Sequence, residues 1–337
     1  MSHQVFRVDD AAEFQRAGPT DLIELLPVEG TNALFIPKEK LEILVASIVL
    51  GAFAHISGPT GSAKTSLIEA LHFVPRNFEC ICTGLGFEPK PLRLYPVEMA
   101  TFESPGELFY RRALRDGCTY DEDSTLVRAL LEASASTDDV RHLVWVREIG
   151  RVHSASVQGG LLDLMSKGRV VLPDGRVVDT RGVAWVADSN YQAEGDAVHT
   201  LVTFDDAVRR RFDVNLTVGY LSAEQEAEVL RRLMAEGEVA TVDDEVLVKV
   251  VRLGQAVRLH RSEGSLQSVP PPTIYGYLAL LRLLTALPHL SLQQVARATL
   301  LGNASPDDQK LVSGVFNEVF GLQGEQDDDP TSGGGLF

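Results

Sequence analysis

The stretch Gly58-Pro-Thr-Gly-Ser-Ala-Lys-Thr65 decides how this chain is read. It follows a short β-rich run, Ala54-His-Ile-Ser57, and precedes a helical pattern that starts near Lys64. Phosphate oxygens need several backbone N–H donors converging in a tight turn, and glycines at Gly58 and Gly61 let the backbone approach without a Cβ clash. In that reading Lys64 reaches the β- and γ-phosphates while the Thr65 hydroxyl ligates a divalent cation. The candidate phosphate-binding set is Gly58, Pro59, Thr60, Gly61, Ser62, Ala63, Lys64, Thr65 and Ser66. The pattern departs from G-x-x-x-x-G-K-[ST] because Ala63 takes the last glycine position, and alanine is the least intrusive replacement. The bland alternative is a Gly/Pro loop joining a strand to a helix, with Lys64 merely solvated.

Outward from the loop, residues of about 40 to 218 alternate short β-rich runs with helical patterns, the signature of βαβ units building a parallel sheet. Five runs stand out as strands: 54–57, 92–97, 142–146, 182–187 and 213–218. Pro96 demotes the second toward an edge, because proline has no N–H for the ladder. Two alternating segments around Pro173-Asp174-Gly175 predict a hairpin that projects from the sheet. Beyond residue 221 the pattern is helical, beginning with Ser222 as a cap for 223–234 and continuing over about 242–261, 273–287, 291–301 and 306–320.

At 337 residues the chain is long enough for two domains of about 150 residues. Its 45% hydrophobic and 23% charged residues are those of an ordinary globular protein. The formal charge is −16, from 47 Asp plus Glu against 31 Lys plus Arg, so the averaged field repels nucleic acid and argues against direct contact with it. Cys80, Cys82 and Cys118 are too few for a structural zinc site and cannot all pair, which fits a reducing cytoplasm. No segment reads as a secretory signal or a membrane span.

Three further groups carry candidate chemistry. Val144-Trp-Val-Arg-Glu-Ile-Gly-Arg151 ends the third strand run in Arg147-Glu148, where a Walker B segment has Asp-Glu. Glu148 is placed to orient or activate an attacking water, but Arg147 puts a cation where an acid normally holds a metal-bound water. At ~5 Å and an effective dielectric of ~20, each unit of charge there is worth roughly 3 kcal/mol, so either Arg147 turns away or hydrolysis suffers. Asn190 ends the fourth strand run, at the carboxyl edge where open α/β sheets bind ligands, and is a γ-phosphate or water sensor candidate. Phe204-Asp-Asp-Ala-Val-Arg-Arg-Arg-Phe212 reads as a short helix ending in arginines; Arg211, then Arg210, suit transition-state charge on a transferring phosphoryl group. A solvated basic turn is the alternative.

In this order the elements resemble the AAA+ ATPases, and among them the MoxR-like and dynein-type modules, over roughly residues 35–320. The loop is similar to the family's G-P-P-G-x-A-K-[ST] variant, in which alanine before lysine is usual. Further matches are Asp116-Gly117 followed by 126–130, the stretch 148–151, and 161–165 leading into the 168–175 hairpin. The resemblance implies an α/β AAA+ P-loop core, its parallel sheet flanked by helices with a β-hairpin insertion, followed by an all-α lid domain. It also implies ATP and Mg2+ bound between core and lid, and assembly into a ring, commonly a hexamer, in which Arg211 acts in trans. A protein client, chaperone-like remodelling and a von Willebrand factor A domain partner are further implications. The lid segment Ser268-Val-Pro-Pro-Pro-Thr273 lacks the family's second sensor arginine; Arg258, Arg261 or Arg282 are possible substitutes.

The resulting division is an N-terminal extension over 1–34, an α/β core over 35–220, a helical lid over 221–322 and a disordered acidic, Gly-rich tail over 323–337. The leading functional expectation is an ATP-driven remodeler using Lys64, Thr65, Glu148 and Asn190 in cis and Arg211 in trans. A hydrolysis-impaired, nucleotide-binding scaffold subunit is the alternative that Arg147 and the missing lid arginine favour. A GTP-using relative that assists nucleic-acid cleavage is a third.

Overall fold

The structure is a computed structural model and describes residues 4–136, 139–152, 154–165, 168–190, 206–237, 241–300 and 304–320. The tail expected over 323–337 lies outside the described residues. The chain divides into two compact units, with the break at residues 220 and 221.

The first unit opens with β1 (Val5–Arg7), α1 (Ala11–Arg16), β2 (Leu22–Leu25) and β3 (Leu34–Pro37). Asp10 caps α1 by accepting the Ala12 N–H. β1 runs parallel to β2, and β2 antiparallel to β3, forming a small sheet whose Ile23, Leu25 and Ile36 enter the main core with Val8 and Phe14. The chain continues through α2 (Lys38–Val49), β4 (Phe53–Gly58), α3 (Lys64–Phe73), α4 (Pro75–Gly84) and β5 (Leu92–Glu98). After two short 3-10 turns come β6 (Tyr110–Arg115), β7 (Cys118–Asp123), α5 (Thr125–Ala135) and β8 (Arg141–Arg147). The unit ends with α6 (Ala155–Leu164), β9 (Arg169–Val171), β10 (Val177–Asp179), β11 (Val183–Asn190), α7 (Asp206–Arg209) and β12 (Val214–Thr217).

Five of these strands form one parallel sheet in the order β12-β4-β11-β8-β5. All five expected strands are in it, and the strand with Pro96 is an edge, where a missing N–H costs no ladder bond. Alternation divides the central strands cleanly between two faces. Ala54, Ile56, Leu143, Trp145, Ala184 and Val186 pack with α2, α3 and α4, whereas Phe53, Val144, Val146, Val183, Trp185 and Ala187 pack with α5 and α6. Both faces being covered explains why these strands read as apolar runs. The 173–175 turn closes the expected hairpin β9-β10. A second hairpin, β6-β7, turns at Asp116-Gly117, both with positive φ, the requirement of a type I′ turn.

The second unit contains α8 (Ala223–Ala235), α9 (Asp244–Ser262), α10 (Ile274–Ala286), α11 (Leu292–Leu300) and α12 (Pro306–Phe320), and no strand among its described residues. Ser222 and Gln225 close a capping box on α8, and Thr273 caps α10 by accepting the Gly276 N–H. The fold class is therefore the expected α/β one, a parallel sheet flanked by helices with a β-hairpin insertion and an all-α unit after it. No helix among the described residues is long and apolar enough to cross a membrane.

Two of the arginines offered as substitutes for a lid sensor, Arg258 and Arg261, have partners within this unit. Arg258 is buried, donates through Nη2 to Glu226 at 2.6 Å and through Nε to the Pro272 carbonyl at 2.7 Å. Arg261 donates to the carbonyls of Gln267 and Val269. Glu226 is also reached by Gln255 and Tyr277, so the pair fastens α8, α9 and the Pro270-Pro-Pro272 run together. Arg258→Met should destabilise this unit by about 3–5 kcal/mol, because it strands a buried carboxylate, and adding Glu226→Gln should recover much of the loss; chemical denaturation of the two variants checks both.

Candidate functional site

The loop from β4 to α3 is shaped by two constraints. Gly58 lies so close to the end of β12 that an added Cβ would sit 2.0 Å from the Val218 carbonyl oxygen and 2.9 Å from Ser62 Oγ. Ala63 closes the loop in the left-handed conformation, with φ of 67°, and caps α3 without a side-chain bond. Glycine takes that conformation freely, whereas alanine carries a cost of about 1–2 kcal/mol. The backbone N–H groups of Gly61 and Ala63 have no hydrogen-bond partner among the described residues. They are donors of the kind a phosphate accepts. Tyr220 fixes the loop from outside by donating its hydroxyl hydrogen to the Thr60 carbonyl at 2.7 Å.

Lys64 is buried at 6% exposure, and its ammonium is held at the centre of the loop. It donates to the carbonyls of Gly58 at 2.9 Å and Pro59 at 2.8 Å, and to Asn190 Oδ1 at 2.9 Å. The parallel register of β4 and β11 sets Asn190 opposite Gly58, which is what brings the amide to the lysine. The structure thus joins the loop to Asn190. Thr65 and Ser66 stand in the first turn of α3, half-buried. Burial lowers the Lys64 ammonium to about 8, against the pull of Asp188 and Glu148 toward the charged form.

Arg147 pairs sideways with the neighbouring edge strand β5. Its Nη1 pairs with Glu98 Oε2 at 3.0 Å, and its guanidinium lies 4.9 Å from the centre of the Trp145 ring. Glu148 follows it in a left-handed conformation, φ 48°, rare for a non-glycine residue, with its carboxylate 3.0 Å from Arg151 Nη1. Asp188 stands on β11, two residues before Asn190, and is buried at 4% exposure. Its carboxylate accepts the Trp145 indole N–H at 2.9 Å, while its carbonyl accepts the Ile149 N–H at 2.9 Å. Burial pushes the Asp188 carboxyl up, opposed by the Trp145 indole, the Glu148 backbone and the cations Lys64 and Arg147.

Sequence reading passed over Asp188, although an acid inside the apolar run Val183–Asn190 was a usable signal. Arg210 and Arg211 are exposed just past the end of α7, which stops at Arg209. Phe204 and Asp205, which began the expected helix, lie outside the described residues. The structure brings neither Arg210 nor Arg211 to the loop of the same chain.

For a magnesium nucleotide the donor set is suitable. Among the described residues no group of three or more His, Cys, Asp or Glu is placed to hold a metal alone. A hard cation that arrives on phosphates needs only one or two protein oxygens, and Thr65, Glu148 and Asp188 offer oxygen.

No family model matches the chain, and no curated protein matches it. Among solved structures it is similar to a mutant of RuvB from Thermotoga maritima, at 11% identity and a TM-score of 0.47, over 85% of this chain and 82% of that one.

Two outcomes follow from the loop. Ala63→Gly should stabilise the protein by about 1 kcal/mol by releasing the left-handed alanine, as measured by urea denaturation. Because phosphate binding needs the charged ammonium, ATP affinity should fall as pH rises above about 8. Calorimetric titration from pH 7 to 9.5 should show that fall in the native protein and not in Lys64→Arg, whose guanidinium stays charged.

Proposed function

We propose that the chain is an ATP-binding AAA+ protein of the MoxR-like kind, an ATP-driven, chaperone-like remodeler that assembles as a ring. The observation that carries the reading is the buried Lys64 ammonium shared between the Gly58–Pro59 carbonyls and Asn190, with Glu148 at the end of β8. With a nucleotide bound, Lys64 would turn from the loop carbonyls to the phosphates, and Asn190, level with Gly58, would meet the γ-phosphate or the water. The N–H groups of Gly61 and Ala63 would donate to phosphate oxygens, and the Thr65 hydroxyl oxygen would ligate the cation. Mg2+ supplies charge neutralisation across the β- and γ-phosphates when bound.

Glu148 orients the attacking water and draws off its proton. The left-handed backbone at Glu148 is strain of the kind concentrated at functional positions, and the Asp188 bonds hold it. Arg147 is paired with Glu98, which offsets its charge. Arg211, with Arg210 beside it, is exposed as a residue must be to reach a neighbouring subunit's nucleotide. A hexamer, a protein client and a von Willebrand factor A domain partner complete the proposal. A second reading, a hydrolysis-impaired scaffold subunit, draws on the Glu148–Arg151 pair, which occupies the carboxylate that the first reading requires as a base.

Steady-state ATP hydrolysis with calorimetric binding separates the two. Glu148→Gln should cut turnover by about 10²–10⁴-fold and keep ATP binding. Binding without turnover in the native protein selects the scaffold reading, and binding that survives Lys64→Ala rejects the loop assignment. Arg211→Ala should lower turnover by about 10³-fold with binding to the monomer intact; unchanged turnover removes the role in trans.

A further inference from the structure

We propose that Asp188 supplies, from the neighbouring strand, the carboxylate that Arg147 displaced, and acts as the positioning residue for the nucleotide's divalent cation. The inference rests on the nucleotide-binding reading of the loop. Arg147 stands at the carboxyl end of β8, where the acid is missing, and β11 lies between β8 and the strand that carries the loop. The parallel pairing runs from Val183 with His142 to Ala187 with Val146, and the same offset sets Asp188 level with Arg147. Alternation puts Asp188 on the face of Ala184 and Val186, the face against which α3 packs. Trp145, on the same face of β8, donates its indole N–H to this carboxylate.

The charges are ordered accordingly. Glu98 neutralises Arg147, and Asp188 interacts with both Arg147 and Lys64. A carboxylate with 4% exposure is costly to keep charged unless cations and donors surround it. The Trp145 N–H and two nearby cations surround the Asp188 carboxylate without using all of its lone pairs. An acid one strand closer to the phosphate loop can therefore accept from a water of the metal's shell, the service lost at position 147.

The test compares ATP affinity in Mg2+ and in EDTA by calorimetry. Asp188→Asn should lower the Mg2+-dependent gain in affinity about 10–100-fold, the usual cost of losing an outer-shell partner, while affinity in EDTA stays near the native value. Arg147→Asp in the Asp188→Asn background should restore the gain. Equal loss in Mg2+ and EDTA, or no restoration, would overturn the proposal and leave Asp188 as an anchor for the 148–149 turn. If Asp188→Asn does not fold, Arg147→Asp alone decides: a gain of tenfold or more, on the order of a newly supplied outer-shell acid, shows that the site had none and overturns the proposal, whereas little change supports it. Native protein that binds ATP equally with and without Mg2+ also overturns it without touching the loop assignment. Native protein that binds no ATP overturns both.

Discussion

Most of the first unit's architecture is arranged around one buried ammonium. Water cannot solvate Lys64 where it sits, so protein oxygens must do so, and an unsolvated charge there would cost several kcal/mol. Two of the oxygens are carbonyls of the loop itself, which requires the chain to fold back directly after β4. Another belongs to Asn190 and is within reach only because β11 pairs with β4 in the register that sets Asn190 against Gly58. A slip of one residue would turn Asn190 to the opposite face and bring Ser189 level with the glycine. The lysine thus ties the order and register of the sheet to the conformation of the loop.

The loop is also closed from the far side. β12 pairs with β4, and its exit brings the Val218 carbonyl against Gly58, so no side chain can be accommodated there. Two residues on, Tyr220 holds the Thr60 carbonyl. On the other face of β4, His55 bonds Ser189 at 2.8 Å and lies against the Phe212 ring, which connects the strand carrying Asn190 to the segment carrying Arg211. Burial holds that histidine below its ordinary range, so it bridges as a neutral ring at neutral pH. The loop, Asn190 and the arginine segment are therefore parts of one packed body rather than independent loops.

The portions of this arrangement legible in the sequence are those that leave a local trace. Strands covered on both faces leave short apolar runs, Pro96 marks an edge, and Pro173-Asp174-Gly175 marks a turn, because each follows from the backbone needs of a few residues. The small N-terminal sheet left little trace, since β1 has three residues and every position of β2 is buried, so neither alternates. The β6-β7 hairpin escaped for the opposite reason: most of β7 is exposed, and only Asp116-Gly117 hints at it. Asp188 escaped because its meaning depends on which strand lies beside it. In the linear sequence it is 41 residues from Arg147, and only the β8–β11 pairing makes them neighbours.

That dependence changes how the arginine at position 147 should be understood. Taken alone, a cation in place of an acid beside a phosphate site looks like decay. In the sheet it is one member of an alternating series, in which Glu98 faces Arg147, Arg147 faces Asp188, and Asp188 faces Lys64. An arginine suits this place better than a neutral residue, because the Glu98 and Asp188 carboxylates flank it and Trp145 offers its ring to the guanidinium. Removing its charge would leave acids on the strands either side of β8 with no cation between them on that strand, and burial already raises the Asp188 carboxyl. The substitution and the acid on β11 are therefore mutually dependent: each makes the other tolerable, and together they keep a negative charge beside the phosphate loop.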